Sequence, residues 1–265
     1  MRLPYFQVNA FTSSTFGGNP AGVCVLDRWL PDCLMQSIAA ENNLSETAFF
    51  VREIDRFSLR WFTPTMEVDL CGHATLASAH VLISELGHPE PCVQFQSRSG
   101  VLKASRRGTL LELDFPSRPP GPCPIPEQLL RGLGATPAEV FKSRDFLAVF
   151  PSAAEVAGLA PDMEQLRELD GLGVIATAPG GAGVDFVSRF FAPRAGVPED
   201  PVTGSSHCTL IPFWAQRLNK KELFARQISK RGGEITCRDL GERVGIGGRA
   251  IVYFRGGLEI PEPRS

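Results

Sequence analysis

No apolar run in this sequence approaches the roughly 18 residues that a membrane-spanning helix needs, so a helical membrane protein is not expected. The N-terminal stretch MRLPYFQVNAF also lacks the basic segment followed by an apolar one that marks a secretory leader, and the expected location is the cytoplasm. Clusters of Lys and Arg are missing, and 27 basic residues against 29 acidic ones leave a formal net charge of −2. Nucleic acid and anionic membrane surfaces are therefore poor candidate partners, which leaves a small molecule or a protein. The seven cysteines are odd in number and form no CxxC pair, so neither a disulfide framework nor a cysteine zinc site is expected. No GK[ST] occurs anywhere, which removes the usual nucleotide phosphate loop. GIGGRA, residues 245–250, loosely fits GxGxxA but runs into the strand-like IVYF, so it offers no dinucleotide site.

What is present is a duplication. WFTPTMEVDLCGHATLASAHVLISELG from Trp61 is echoed by FFAPRAGVPEDPVTGSSHCTLIPFWAQRLN from Phe190: an aromatic, a proline, a variable loop, a glycine and an apolar helix-like run. Pro64 answers Pro193 and Gly72 answers Gly204, and SRSGVLKAS from Ser97 is answered by SKRGGEITC from Ser229. The offset is about half the chain, and 265 residues are enough for two cores. Strands are expected at 21–26, 47–51, 57–62, 110–115, 185–191 and 250–254, with peripheral helices at 31–41 and 161–169. A helix over 74–86 is apolar nearly all round and stops at Gly87, which requires strands wrapped about it. The class is α+β. The proline-rich stretch 116–126 reads as a linker, dividing the chain into domains at 1–117 and 118–265, with the chain ends free to cross over.

The glycine that opens each apolar helix, Gly72 in CGHAT and Gly204 in TGSSH, brings unpaired N–H groups and the positive end of the helix dipole to a point suited to a carboxylate. The plainer reading is that each glycine merely lets strand turn into helix. His73, just inside the first helix, is expected as a neutral imidazole because the dipole disfavours its cation. Metal binding through His73 and His80 is not expected, since seven helical residues separate them by about 10 Å. Asp200, Thr203 and Ser205 gather before the second helix, where N-capping accounts for one of them but not for all. Cys71 stands at a helix start, which lowers a thiol pKa toward reactivity. The equivalent place in the second copy is Thr203, and Cys208 falls inside the helix, so a symmetric two-thiol mechanism is not expected.

The segments VNAFTSSTFGGNPAGVCVL, NLSETAFF, LCGHATLASAHVL and SRFFAPRAGVPEDPVTGSSHCTLIPFWAQRL resemble the PhzF family of phenazine biosynthesis-like proteins over essentially the whole chain. The resemblance implies a diaminopimelate epimerase-like fold, two pseudo-symmetric domains that are each a β-barrel around a central helix, with the active site in the cleft between them. It implies Glu46 as acid/base, His73 as its companion, and Asp200 and Ser205 as partners from the other half. Asn19, Gly72, Thr203 and Gly204 would bind the substrate. The implied reaction is a proton shift on a small carboxylate with neither metal nor cofactor, in a protein that is often a homodimer. Cys71 is shared with racemase-like relatives of the fold, which keeps two alternatives open: an epimerase pairing Cys71 with Glu46, and a ligand-binding protein without catalysis.

Overall fold

Alternate burial along residues 2–10 and the apolar run that follows set the first two strands, β1 (Arg2–Ala10) and β2 (Asn19–Leu26), antiparallel to each other. The computed structural model describes residues 1–54 and 56–260. Helix α1 (Asp32–Asn42) follows Pro31, whose φ of −53° suits entry to a helix, and ends on Asn43 in the left-handed region. Next come β3 (Glu46–Arg52), parallel to β2, then β4 (Phe57–Phe62) and the two-residue β5 (Glu67–Val68). The helix expected over 74–86 starts earlier and changes character. Helix α2 (Gly72–His80) is regular, Val81–Glu85 widens into a π turn, and the chain leaves through Gly87 at φ 67°. Strands β6 (Cys92–Ser97), β7 (Gly100–Arg107) and β8 (Leu110–Pro116) form a meander. Every residue of α2 from Gly72 to Ala79 is buried, and β1, β2, β3 and β7 pack around it. A helix without a polar face is stable only when wrapped in this way.

The stretch expected as a linker carries a short strand, β9 (Gly121–Pro122), at an edge of β10 (Glu139–Lys142), where a proline is tolerated. Helix α3 (Glu127–Leu133) lies between them in sequence. Strand β11 (Phe146–Val149), helices α4 (Ala153–Gly158) and α5 (Met163–Arg167), and strands β12 (Val174–Pro179), β13 (Phe186–Ala192) and β14 (Val197–Asp200) follow. Helix α6 (Gly204–Leu218) leads to β15 (Glu222–Gln227), β16 (Gly233–Asp239), β17 (Arg243–Gly248) and β18 (Ala250–Glu259). Pro212 interrupts α6 and has no N–H to offer the Cys208 carbonyl one turn earlier. The backbone N–H of Arg118 takes that carbonyl instead, at 2.8 Å.

The duplication read from sequence holds at the level of strand pairing. β2 and β3 are parallel, as are β11 and β12, and β3–β4 is antiparallel, as is β12–β13. β4 pairs with β5 and, in parallel, with β6, while β13 pairs with β14 and, in parallel, with β15. Each half then closes with an antiparallel hairpin, β6–β7 or β15–β16. Two compact units result. One runs from Met1 to Asp114 and includes the segment that begins at Gly247, and the other is Phe115–Ile246. The internal boundary falls at 114/115, a few residues before 117/118, and the segment from Gly247 joins the first unit, where β18 pairs with β1 from Ala250 to Glu259. Leu129, Phe146, Phe150, Val174 and Phe191 belong to the core of the second unit, and Leu3, Met35, Phe49 and Phe62 to that of the first.

Candidate functional site

Strands β2 and β3 run parallel with Ala21 opposite Glu46, so the first residues of both, Asn19 and Glu46, stand at the same end of the sheet. The start of α2 supplies the third and fourth members, Cys71 as its N-cap and His73 within its first turn. His73 Nε2 lies 3.1 Å from Glu46 Oε2, an ion-pair distance reached off the line of a well-directed hydrogen bond. Its Nδ1 is 3.1 Å from Asn19 Nδ2 and 3.5 Å from the Cys71 sulfur. Asn19, Cys71 and His73 are buried, whereas the Glu46 side chain keeps 15% of its surface exposed although its Oε2 is itself buried. Gly72, the first residue of α2, is buried behind it.

The protonation states differ from those expected of a bare helix start. Burial works against a charge on His73, but the Cys71 sulfur and the Glu46 carboxylate raise its pKa well above the ordinary imidazole value. The Glu46 carboxylate 3.1 Å away thus works against burial and the helix dipole and favours the protonated ring, a shift opposite to the one a bare helix start implies. Turning over the Asn19 amide exchanges donor for acceptor at Nδ1, so Asn19 serves the ring in either state. Cys71 also departs from expectation: burial and the Glu46 charge push its thiol up to about 11, despite His73 and the helix start. It is a thiol, not a thiolate, at neutral pH.

The remaining sequence candidates gather in the second unit. Thr203 is the N-cap of α6 and donates from Oγ1 to Asp200 Oδ2 at 2.5 Å rather than capping the helix. The Thr203 side chain makes no capping hydrogen bond to α6, so the N-capping explanation does not apply to it. Buried Gln227 staples the loop: its Oε1 accepts from the Thr203 N–H at 2.8 Å, and its Nε2 donates to the Asp200 carbonyl at 2.7 Å and to Thr203 Oγ1 at 3.1 Å. Glu199 is held in a two-point pair by Arg189, at 2.7 and 3.0 Å. Gly204 is the buried first residue of α6. Ser205 accepts a hydrogen bond from Arg144 Nη2 at 3.2 Å, which leaves its own O–H to donate elsewhere. Asp145, whose carboxyl is raised by burial against the pull of Arg144, fixes that guanidinium from behind at 3.2 and 3.3 Å. Arg144, Asp145 and Gln227 carried no local signal in the sequence.

His207, one turn into α6, is buried with Nδ1 2.7 Å from the Thr203 carbonyl and no partner for Nε2. Burial pushes its pKa down from 6.5 to about 4. Between those values the unfolded chain binds a proton that the folded one refuses, so stability falls as pH drops, by about 3 kcal/mol in total. Urea melts of wild type at pH 7 and pH 4 should show this loss, and a His207→Gln variant should show a smaller one. An equal loss in both would assign the acid sensitivity elsewhere.

Comparison with known proteins places the chain among its relatives. The sequence profile of the PhzC-PhzF family, phenazine biosynthesis-like protein, matches residues 8–256. The chain is 52% identical over 260 residues to an uncharacterized isomerase of Pseudomonas aeruginosa, covering 98% of this chain and 100% of the relative. It is 47% identical over 263 residues to an uncharacterized isomerase of Halalkalibacterium halodurans, covering 97% and 99%. The crystal structure of a phenazine biosynthesis protein PhzF family member from Enterococcus faecalis superposes with a TM-score of 0.95 at 47% identity, over 98% of this chain and all of the other.

Proposed function

The chain belongs to the phenazine biosynthesis-like protein family and shares the isomerase class of its relatives, and on that premise we propose that Glu46 moves a proton between two carbons of a small carboxylate substrate. The observation that carries this reading is the contact of Glu46 Oε2 with His73 Nε2 at 3.1 Å, in a buried group of which the Glu46 side chain is the partly exposed member. In the reaction Glu46 accepts the proton as the C–H bond breaks, and the bonding electrons pass into the π system joined to the substrate's carboxyl group. Glu46 then returns the proton at a second carbon, so no external acid, base or oxidant is consumed. The His73 imidazolium stands beside the carboxylate and offsets the negative charge that develops on the substrate. Asn19 holds the ring so that Nε2 faces Glu46. The uncapped start of α2 presents backbone N–H groups to the same charge. No cofactor is needed for these steps.

The thiol reading has one observation in its favour, the 3.5 Å approach of the Cys71 sulfur to His73 Nδ1. A thiol held at about 11 is a poor base at neutral pH, so the carboxylate is favoured over it. The test is incubation of a pool of small carboxylic acids and a cell extract in heavy water, read by mass spectrometry for a metabolite that gains deuterium only with the protein. With wild type one metabolite is labelled, and with Cys71→Ala the rate stays within about tenfold, less than the loss of a general acid/base brings. Complete loss of labelling with Cys71→Ala, in a folded variant, would give the proton to sulfur.

A further inference from the structure

We propose that Glu46, Cys71 and His73 form a binding site for one thiophilic divalent cation of the zinc class, occupied in competition with the substrate. Each residue offers one ligand atom of a different kind, a carboxylate oxygen, a sulfur and an imidazole nitrogen, and these atoms all lie within 4.8 Å of one another. Tetrahedral zinc with oxygen, nitrogen and sulfur ligands spaces them about 3.4 to 3.6 Å apart. His73 Nε2 is already 3.1 Å from Glu46 Oε2 and 4.0 Å from the Cys71 sulfur, so small side-chain adjustments open the space for an ion.

The surroundings suit the same ion. A carboxylate and a thiolate cancel its two charges, which a site this buried requires. The thiol and imidazolium protons leave to solvent as the bonds to sulfur and Nε2 form. The ring then carries its proton on Nδ1, where the Asn19 amide, turned to present oxygen, accepts it and sets the orientation of the ligand. Cys71 and His73 are buried while Glu46 is partly open, which leaves the fourth position to water or a ligand. Sulfur and imidazole select zinc, cadmium or cobalt over magnesium and calcium, which prefer oxygen. An ion bound here occupies the Glu46 lone pair and therefore arrests proton transfer. That consequence rests on the function proposed above, whereas the binding itself does not.

The experiment is a cadmium titration of the full chain carrying Cys33→Ser, Cys92→Ser and Cys123→Ser, which removes the cysteines that are not buried. The expected result is an ultraviolet cadmium–thiolate charge-transfer band that saturates at one equivalent, persists in excess magnesium and disappears with Cys71→Ser. Glu46→Gln and His73→Gln should each weaken binding by at least about tenfold, the scale on which metal sites respond even to lost supporting contacts. No saturating band, a band that survives Cys71→Ser, or unchanged affinity in both the Gln variants would overturn the site. Zinc added to the heavy-water assay separates the two claims. Labelling that stops at one equivalent and returns with a chelator supports both, while full labelling with the metal bound would keep the site and remove Glu46 from the reaction.

Discussion

Replacing Glu46 by Gln is expected to cut deuterium incorporation by about 10²- to 10⁴-fold, the usual worth of a positioned general acid/base. The amide has the shape of the carboxylate but takes no proton from carbon. Folding is not the cause of the loss, because His73 can answer the missing charge by shedding its own proton. Glu46 at 3.1 Å favours the protonated ring, and removing that carboxylate shifts His73 toward the neutral form that burial favours. Wild-type and variant far-ultraviolet dichroism should therefore coincide while labelling collapses. Glu46→Asp keeps the charge but moves it by one methylene, and is expected to fall between the two. A Gln variant that labels the substrate at the wild-type rate would end the proposed role.

The largest effect on stability is expected from Trp214→Ala, at about 3 to 5 kcal/mol. Trp214 is buried on α6, stacked on Phe186 with centroids 5.7 Å apart and planes within 5°, and edge-on to Phe213 at 5.4 Å. Its indole N–H donates to Thr177 Oγ1 at 3.0 Å, and that hydroxyl donates to the Val187 carbonyl at 2.7 Å. Truncation therefore leaves both a cavity and a buried hydroxyl with one fewer partner. Trp214→Phe, which keeps an aromatic face on Phe186, should cost clearly less. The measurement is the urea midpoint and slope of each variant, and an alanine variant within 1 kcal/mol of wild type would show that the stack is dispensable.

Much of this architecture was legible because the two halves reinforce each other. Pro64 and Pro193, Gly72 and Gly204, and the turns at Ser97 and Ser229 mark corresponding corners of two identical strand-pairing schemes. The burial of α2 could also be read, since an apolar helix without a polar stripe has few alternatives. Glu46 could be singled out as one charge heading an apolar strand.

The misreadings share a cause, which is contact between residues far apart in sequence. The dipole at the start of α2 is a local property and argued for a neutral His73. The carboxylate that reverses that argument comes from β3, 27 residues away. Cys71 looked activated from its position, and only its burial shows the thiol to be raised. Arg144 and Ser205 are 61 residues apart and meet through folding alone. Pro212 advertised a lost hydrogen bond, but nothing local named Arg118 as the group that restores it.

The pairing of β18 with β1 also fixes an order of assembly. As the chain is synthesised, the continuous unit from Phe115 to Ile246 is available as a whole before the first unit is, although the first unit's N-terminal part emerges earlier. Until the ribosome has released β18, β1 exposes a row of unpaired backbone groups, the kind of edge on which strands of neighbouring chains add. A premature stop before Ala250 would make that temporary edge permanent. The hazard of such a truncation would be aggregation, with the acid/base group of Glu46 and His73 still encoded in full.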